Sequence, residues 1–208
     1  MTKIISFEGI IGAGKSTTIE YCTNELVKKG FTVYTVKENV DEWVKDGILQ
    51  KFYDDPKRYA YHFQTKAFID KVQSIKNAYD NYFGNVDFII TERSLVSDYI
   101  FAKLLYNDKY MDDMEFKHYE DWYEFWKYLL PNYEYITVYL KLNTNIALDR
   151  IKKRGRDGEN HITCEYETKL MNMHDEYFDN AKIVWDSTKN IHEKNNVDEL
   201  VNLLLTVN

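Results

Sequence analysis

Apolar residues fall in two rhythms along this chain. Residues 4–7, 31–36, 86–91 and 135–142 form short apolar runs without strict alternation. Such runs suit strands covered on both faces, as in a parallel sheet. Residues 182–185 make a weaker fifth run. Between them the apolar positions recur at helical spacing. The stretches are 16–29, ended by Gly30, and 56 to about 83, opened by Pro56 and ended by Gly84. Residues 95–106, 112–129, 144–153, 163–181 and 197–207 follow the same pattern. Strands alternating with helices predict an α/β fold built on a parallel sheet. The helical stretches on either side of the third strand exceed what a minimal crossover needs, which marks them as candidates for a substrate site or a dimer face.

Composition narrows the class. The chain has 208 residues, 44% hydrophobic and 16% aromatic, enough for one globular domain with a sizeable core. No repeat, low-complexity tract or linker divides it, so residues 1–208 are expected to form one domain. The net charge of −7 argues against a general nucleic-acid binder, which needs a positive surface to displace counterions. The two cysteines, Cys22 and Cys164, sit far apart, which excludes a disulfide framework and a cysteine zinc site. No apolar run approaches the ~20 residues needed to span a bilayer, and no leader-like segment precedes the first strand. These features predict a cytoplasmic protein that does not engage membranes.

One motif carries chemistry outright. Gly9-Ile10-Ile11-Gly12-Ala13-Gly14-Lys15-Ser16 matches G-x-x-x-x-G-K-[ST] between a predicted strand and a predicted helix, with Thr17 next. Backbone N–H groups freed by Gly9, Gly12, Ala13 and Gly14 can wrap phosphates at the positive end of the helix. Lys15 can reach the β- and γ-phosphates, and the Ser16 hydroxyl can ligate Mg²⁺. The loop predicts ATP binding but does not name the reaction, since switches, motors, transporters and kinases all use it.

The ends of the second and third strands supply acidic residues. Glu38 follows the second strand, where a carboxylate can take a proton from an attacking hydroxyl, although acidic residues also simply end strands. In Glu38-Asn39-Val40-Asp41-Glu42-Trp43 the chain resembles the Glu-x-Val-x-x-Trp element of the deoxynucleoside kinase family. The resemblance continues through Tyr53-Asp54-Asp55-Pro56-Lys57-Arg58-Tyr59, Phe63-Gln64-Thr65, Glu92-Arg93-Ser94 and Ser97-Asp98-Tyr99-Ile100-Phe101-Ala102. It spans Lys3 to about Tyr177 and implies a P-loop NTPase fold: a five-stranded parallel sheet flanked by helices, with an arginine-rich lid.

The resemblance also implies roles. Glu38 is the general base on the sugar 5′-hydroxyl, and Arg93 either bridges toward the reacting phosphate or supports Glu38. Glu92 is the carboxylate associated with Mg²⁺. Tyr53 and Glu159 hold the sugar 3′-hydroxyl. Trp43, Phe63 and Phe101 enclose the base, and Gln64 and Asp98 read its edge. Lys71 stands where deoxycytidine kinase has an Arg that pairs with that Asp, and Ala67 leaves room for a larger base. An Asp at 98 favours deoxycytidine or purine deoxynucleosides over thymidine, while Lys71 lacks the bidentate geometry of Arg.

The segment 150–156 carries five positive charges in seven residues. It reads as a nucleic-acid patch, as a solvated helix end, or as a lid over the transferring phosphate. The family's Arg-x-x-x-Arg-x-Arg lid matches Arg150, Arg154 and Arg156, which places a lid at about 150–162 with Asp157-Gly158 inside it. The five histidines show no ligand spacing. The resemblance further implies a homodimer and a place in nucleotide salvage, with small-molecule deoxynucleoside and NTP as partners. Two alternatives stay open. A thymidylate-type monophosphate kinase shares the fold, but its Arg-Glu-Pro-Gly signature is replaced by Lys37-Glu38-Asn39-Val40. A non-catalytic regulatory subunit would be expected to lose Glu38 or Arg93.

Overall fold

The computed structural model describes residues 2–130, 135–156 and 159–207. Five parallel strands form one sheet: β1 (Lys3–Glu8), β2 (Val33–Val36), β3 (Phe88–Glu92), β4 (Tyr135–Lys141) and β5 (Ile183–Asp186), in the order β2-β3-β1-β4-β5. Ile4 pairs with Ile89 on one side and Tyr135 on the other, so β1 lies at the centre with β3 and β4 flanking it. The central strands β1 and β3 are buried along nearly their whole length, whereas β2 is half-buried and β5 alternates buried and exposed positions. Ile5, Phe7, Ile90, Val138 and Leu140 are fully buried. That burial replaces alternation with continuous hydrophobic sequence.

The helices are α1 (Lys15–Lys28), α2 (Val40–Lys45), α3 (Ile48–Asp54), α4 (Pro56–Tyr82), α5 (Leu95–Asn107), α6 (Asp113–Leu129), α7 (Thr144–Arg154), α8 (Cys164–Phe178) and α9 (Lys194–Thr206). Local chemistry sets several starts. The Asp55 carboxylate accepts from the Arg58 N–H ahead of Pro56, and Asp112 and Glu115 form a capping box on α6. The main core lies between the sheet and α1, α8 and α9, around Phe7, Leu26, Leu170 and Leu200. A second core, built by α2 to α6, packs Trp43, Phe52, Phe68, Tyr119 and Tyr123 away from the sheet.

The second strand and two short helices depart most from the pattern reading, and the ends of several other elements differ by one to three residues. The second strand starts at Val33 rather than 31, because Thr32 is committed to a turn: its N–H and Oγ1 both bond the Asp87 carboxylate, at 2.7 and 2.8 Å. Helices α2 and α3 were not anticipated. Each is under two turns, too short for a periodic signal or for stability alone, so tertiary packing on α4 forms them. No helix among the described residues is long and apolar enough to cross a membrane.

Candidate active site

The carboxyl ends of β1, β2 and β3 open into one cavity of about 960 Å³, roofed by α2, α3 and the segment after α7. Its floor is the phosphate-binding loop. Gly9 has φ 145° and Gly12 φ 77°; a Cβ on Gly9 would lie 2.8 Å from the Leu140 carbonyl oxygen, and one on Gly12 2.6 Å from that of Ala147. Only glycine lets the loop press so closely against β4 and α7. Lys15 is buried and donates to the carbonyls of Gly9 and Ile10, at 3.2 and 3.0 Å. Burial and the neighbouring Arg93 charge push its ammonium down to about 8. Ala13 is buried, and Gly14 and Thr17 flank Lys15 and Ser16 at the start of α1. The Ser16 hydroxyl donates to Glu92 Oε1 at 2.9 Å.

Arg93 is the hub. It follows β3 with φ 65°, a left-handed conformation uncommon for a residue with a Cβ, and its N–H bonds the Phe7 carbonyl at 3.0 Å. That turn aims the side chain back over the loop. Nε meets Glu38 Oε1 at 2.7 Å, Nη1 donates to Gly9 O at 2.8 Å, and the guanidinium lies 4.7 Å from the Phe101 ring centre. Burial alone would raise the Glu38 carboxyl, but Arg93, then Lys71, Lys15 and Arg156, outweigh it and hold Glu38 below the usual range.

Beyond Glu38 the cavity becomes an aromatic slot. Phe52 and Phe63 stack at 4.9 Å, and Trp43 meets Phe63 edge to face at 5.4 Å. Ala67 lines the slot beside them. At its end Gln64 Nε2 donates to the Asp98 carbonyl at 3.1 Å and to its carboxyl at 3.3 Å. Burial drives the Asp98 carboxyl up to about 7, against the pull of Lys71. On the other wall, burial and the Glu159 charge raise the Tyr53 phenol and keep it a donor. Arg154 bonds both Glu159 oxygens, at 3.1 and 2.6 Å, and Arg156 reaches one at 3.4 Å.

The structure thus gathers around one cavity most of the side chains singled out from sequence, with Gly9, Ala13, Gly14 and Thr17 beside the loop residues that line it. Lys71 does not line it: its ammonium donates to the Glu92 carbonyl at 2.5 Å, behind the wall, and makes no ion pair with Asp98. Arg150 also lies off the cavity, donating to the Ser187 carbonyl at 2.8 Å and to Ala13 O at 3.3 Å. Asp157 and Gly158 lie outside the described residues.

Sequence reading missed a layer beneath the site. Glu8 accepts from Ser97 at 2.6 Å. His174 is fully buried. Its Nδ1 faces the Leu170 carbonyl at 2.9 Å, so the proton sits there, leaving Nε2 to accept from Arg93 at 3.5 Å. Burial and Arg93 hold its imidazole well below the usual value, hence neutral. Glu167 is fully buried with no hydrogen-bond partner for either oxygen among the described residues, and burial pushes it up to about 8. The signal was available: 167, 170, 174 and 178 share one face of α8, and two polar residues on an apolar stripe mark buried polar work.

The chain as a whole is similar to known proteins. A family model described as "Deoxynucleoside kinase" matches residues 5–204. A Fowlpox virus protein named "Probable deoxycytidine kinase" is 35% identical over 192 residues, covering 92% of this chain and 74% of that protein. Deoxycytidine kinase of Homo sapiens is 30% identical over 194 residues, covering 84% and 75%. A solved structure of deoxyadenosine kinase from M. mycoides, with the products dCMP and a flexible dCDP bound, superposes with a TM-score of 0.80 at 28% identity, covering 98% of this chain and all of that one.

Proposed function

From the premise that this chain belongs to the deoxynucleoside kinase family, and so is an ATP-dependent phosphotransferase acting on deoxynucleosides, we propose how its cavity performs the reaction. The observation that carries the reading is the Glu38–Arg93 pair at 2.7 Å, which stands between the phosphate-binding loop and the aromatic slot. ATP, or another NTP, lays its phosphates on Gly9, Gly12, Ala13, Gly14, Lys15, Ser16 and Thr17. The deoxynucleoside enters the slot, its base between Trp43, Phe63 and Phe101 and its sugar 3′-hydroxyl on Tyr53 and Glu159.

Glu38 takes the proton of the 5′-hydroxyl. The oxygen forms a bond to the γ-phosphorus in line as the bond to the β–γ bridging oxygen breaks, and ADP leaves. A carboxylate held as low as Glu38 is a weak base. A γ-phosphate that draws Arg93 to itself removes the largest influence lowering Glu38 and restores basicity when the acceptor is in place. Lys15, Arg93 and the cations of a lid over residues 150–162 stabilise charge on the phosphoryl oxygens.

Ser16 and Glu92 are the residues that would hold Mg²⁺. They fit it: two hard oxygen groups converge beside the loop, and Mg²⁺ takes few protein ligands when phosphates and waters supply the rest. When bound, Mg²⁺ neutralises phosphate charge.

Gln64 and Asp98 support deoxycytidine or purine deoxynucleosides as acceptors, with Ala67 giving room. Lys71 acts on Asp98 only at a distance, through its charge. The chain reads as one domain of a cytoplasmic salvage enzyme. A homodimer would use the exposed face of α6, where Met114, Trp122, Phe125 and Leu129 share one side.

The test is a phosphoryl-transfer panel with Mg²⁺-ATP against deoxycytidine, thymidine, deoxyadenosine, deoxyguanosine, dCMP and dTMP. Turnover of a nucleoside and not its monophosphate is expected. Turnover of monophosphates alone would overturn the acceptor assignment.

A further inference from the structure

Asp70 is a carboxylate buried in α4 with a partner on another helix. Phe63, Ala67 and Asp70 follow at i, i+4 and i+7, so they share the face that α4 turns to the slot. Asp70 Oδ2 accepts from Trp43 Nε1 at 2.7 Å, and both residues are buried. The indole has this one donor, and a buried indole N–H needs a partner. Lys66, one turn earlier, pairs with the same oxygen from a partly exposed position. An i, i+4 pair of that kind does not require burial of the acid, so Lys66 does not explain why Asp70 sits inside.

Helix α2 explains it. It is six residues long and buries one side chain, Trp43. A helix that short has no stability of its own. Its attachment to α4 is the Trp43 ring, gripped at its N–H by Asp70 and crossed at right angles by Phe63. The next residue on α4, Lys71, donates to the Glu92 carbonyl at the end of β3. Two consecutive buried charges thereby tie the slot wall and the metal-side strand end to one helix.

We propose that Asp70 is the positioning residue that fixes the Trp43 indole as a rigid wall of the base slot, and so sets affinity for the deoxynucleoside without touching it. This rests on the reading of the slot as the acceptor site. The experiment measures KM for the deoxynucleoside best turned over, KM for ATP, and kcat, in Asp70→Ala, Asp70→Asn, Trp43→Phe, Lys66→Ala and the double variant Trp43→Phe/Asp70→Ala.

Asp70→Ala should raise the deoxynucleoside KM about five- to tenfold, the scale of one lost hydrogen bond. The ATP KM should stay within about twofold. Asn keeps an acceptor oxygen, so Asp70→Asn should restore the wild-type KM, and Lys66→Ala should leave it unchanged. In the Trp43→Phe background, removing Asp70 should add nothing, because the bond is already gone. The same KM rise in that background, or an Asn variant as impaired as Ala, overturns the proposal. The double variant orphans no group, so it keeps the test open if Asp70→Ala alone fails to fold.

Fluorescence separates this proposal from the functional reading. The emission of Trp43, taken as wild type minus Trp43→Phe, should shift in Asp70→Ala and not in Asp70→Asn. An unshifted emission refutes the positioning role even where turnover is normal. Absence of turnover on every deoxynucleoside refutes the acceptor reading and leaves the emission result standing.

Discussion

Glu167→Gln should stabilise this protein, and by an amount that grows with pH. Glu167 is fully buried on α8, and neither carboxyl oxygen has a hydrogen-bond partner among the described residues. Burial raises it from 4.5 to about 8, against the pull of Lys15, Arg93 and Arg154 and with the push of Glu159. Between those two values the folded protein keeps a proton that the unfolded chain has released. Stability therefore falls as pH rises through that window and levels off above about 8. At about 1.4 kcal/mol per pKa unit, the full window sets a ceiling of about 5 kcal/mol. Glutamine has the same shape and no charge, so it removes only the ionisation part and leaves an equally unpaired polar group. We expect the variant to match wild type near pH 5 and to exceed it by about 2 kcal/mol or more near pH 9. Urea unfolding of both proteins across that range measures the difference, in which Asp98 and other shared groups cancel. A gap that does not change with pH, or a wild type more stable than the variant at high pH, would refute the reasoning.

Three further outcomes follow from the site. Glu38→Gln should lower kcat by about 10²- to 10⁴-fold, the range of general-base catalysis, without weakening nucleotide binding measured by titration, since it removes the carboxylate that competes with phosphate for Arg93; near wild-type turnover would remove Glu38 as the base. Tyr53→Phe should weaken deoxynucleoside binding by ~1 kcal/mol or more, seen as a KM raised about fivefold, whereas unchanged kinetics would mean that the ring only packs. Gly12→Ala places a methyl 2.6 Å from the Ala147 carbonyl oxygen at a positive φ; it should cost about 1–3 kcal/mol in a thermal melt and abolish nucleotide binding, and a variant that binds ATP normally would show that the loop has slack.

Legibility in the sequence tracked the range of the forces involved. Strands β1 and β3 were readable because burial on both faces writes itself as unbroken apolar runs, while β5, whose positions alternate buried and exposed, left only a weak run. The phosphate-binding loop was readable because its glycines are demanded by contacts such as that of Gly12 with α7. Helices α2 and α3 were not readable, since what forms them is packing on α4, and their segments carry too few turns to show a period. Lys71 shows the limit most sharply. Its spacing from Gln64 predicted a partnership with Asp98, but its ammonium ends on the Glu92 carbonyl instead. A lysine has a point charge on a flexible stem and takes whichever acceptor the fold offers, while an arginine fork would have demanded a carboxylate.

Lys71 is one case of a wider arrangement. Arg93 is held by Glu38 and Gly9 O, Arg154 and Arg156 by Glu159, Lys15 by the carbonyls of its own loop, and Arg150 by Ser187 and Ala13. Each cation proposed to meet phosphate already has an oxygen partner supplied by the chain. For Lys15 and Arg93, which are buried, such partners keep the charge from standing uncompensated, a state that costs several kcal/mol per ion, whereas Arg154 and Arg156 are partly exposed. Under the proposed mechanism, phosphate then exchanges one set of oxygens for another rather than stripping water from bare cations. The exchange also frees the groups it displaces. Glu38 regains basicity when Arg93 turns to phosphate, and Glu159 becomes available to the sugar when Arg154 and Arg156 do the same. In that mechanism, donor binding would prepare both ends of the acceptor site through the cations they share, leaving Glu38 and Glu159 fully competent only with the triphosphate in place.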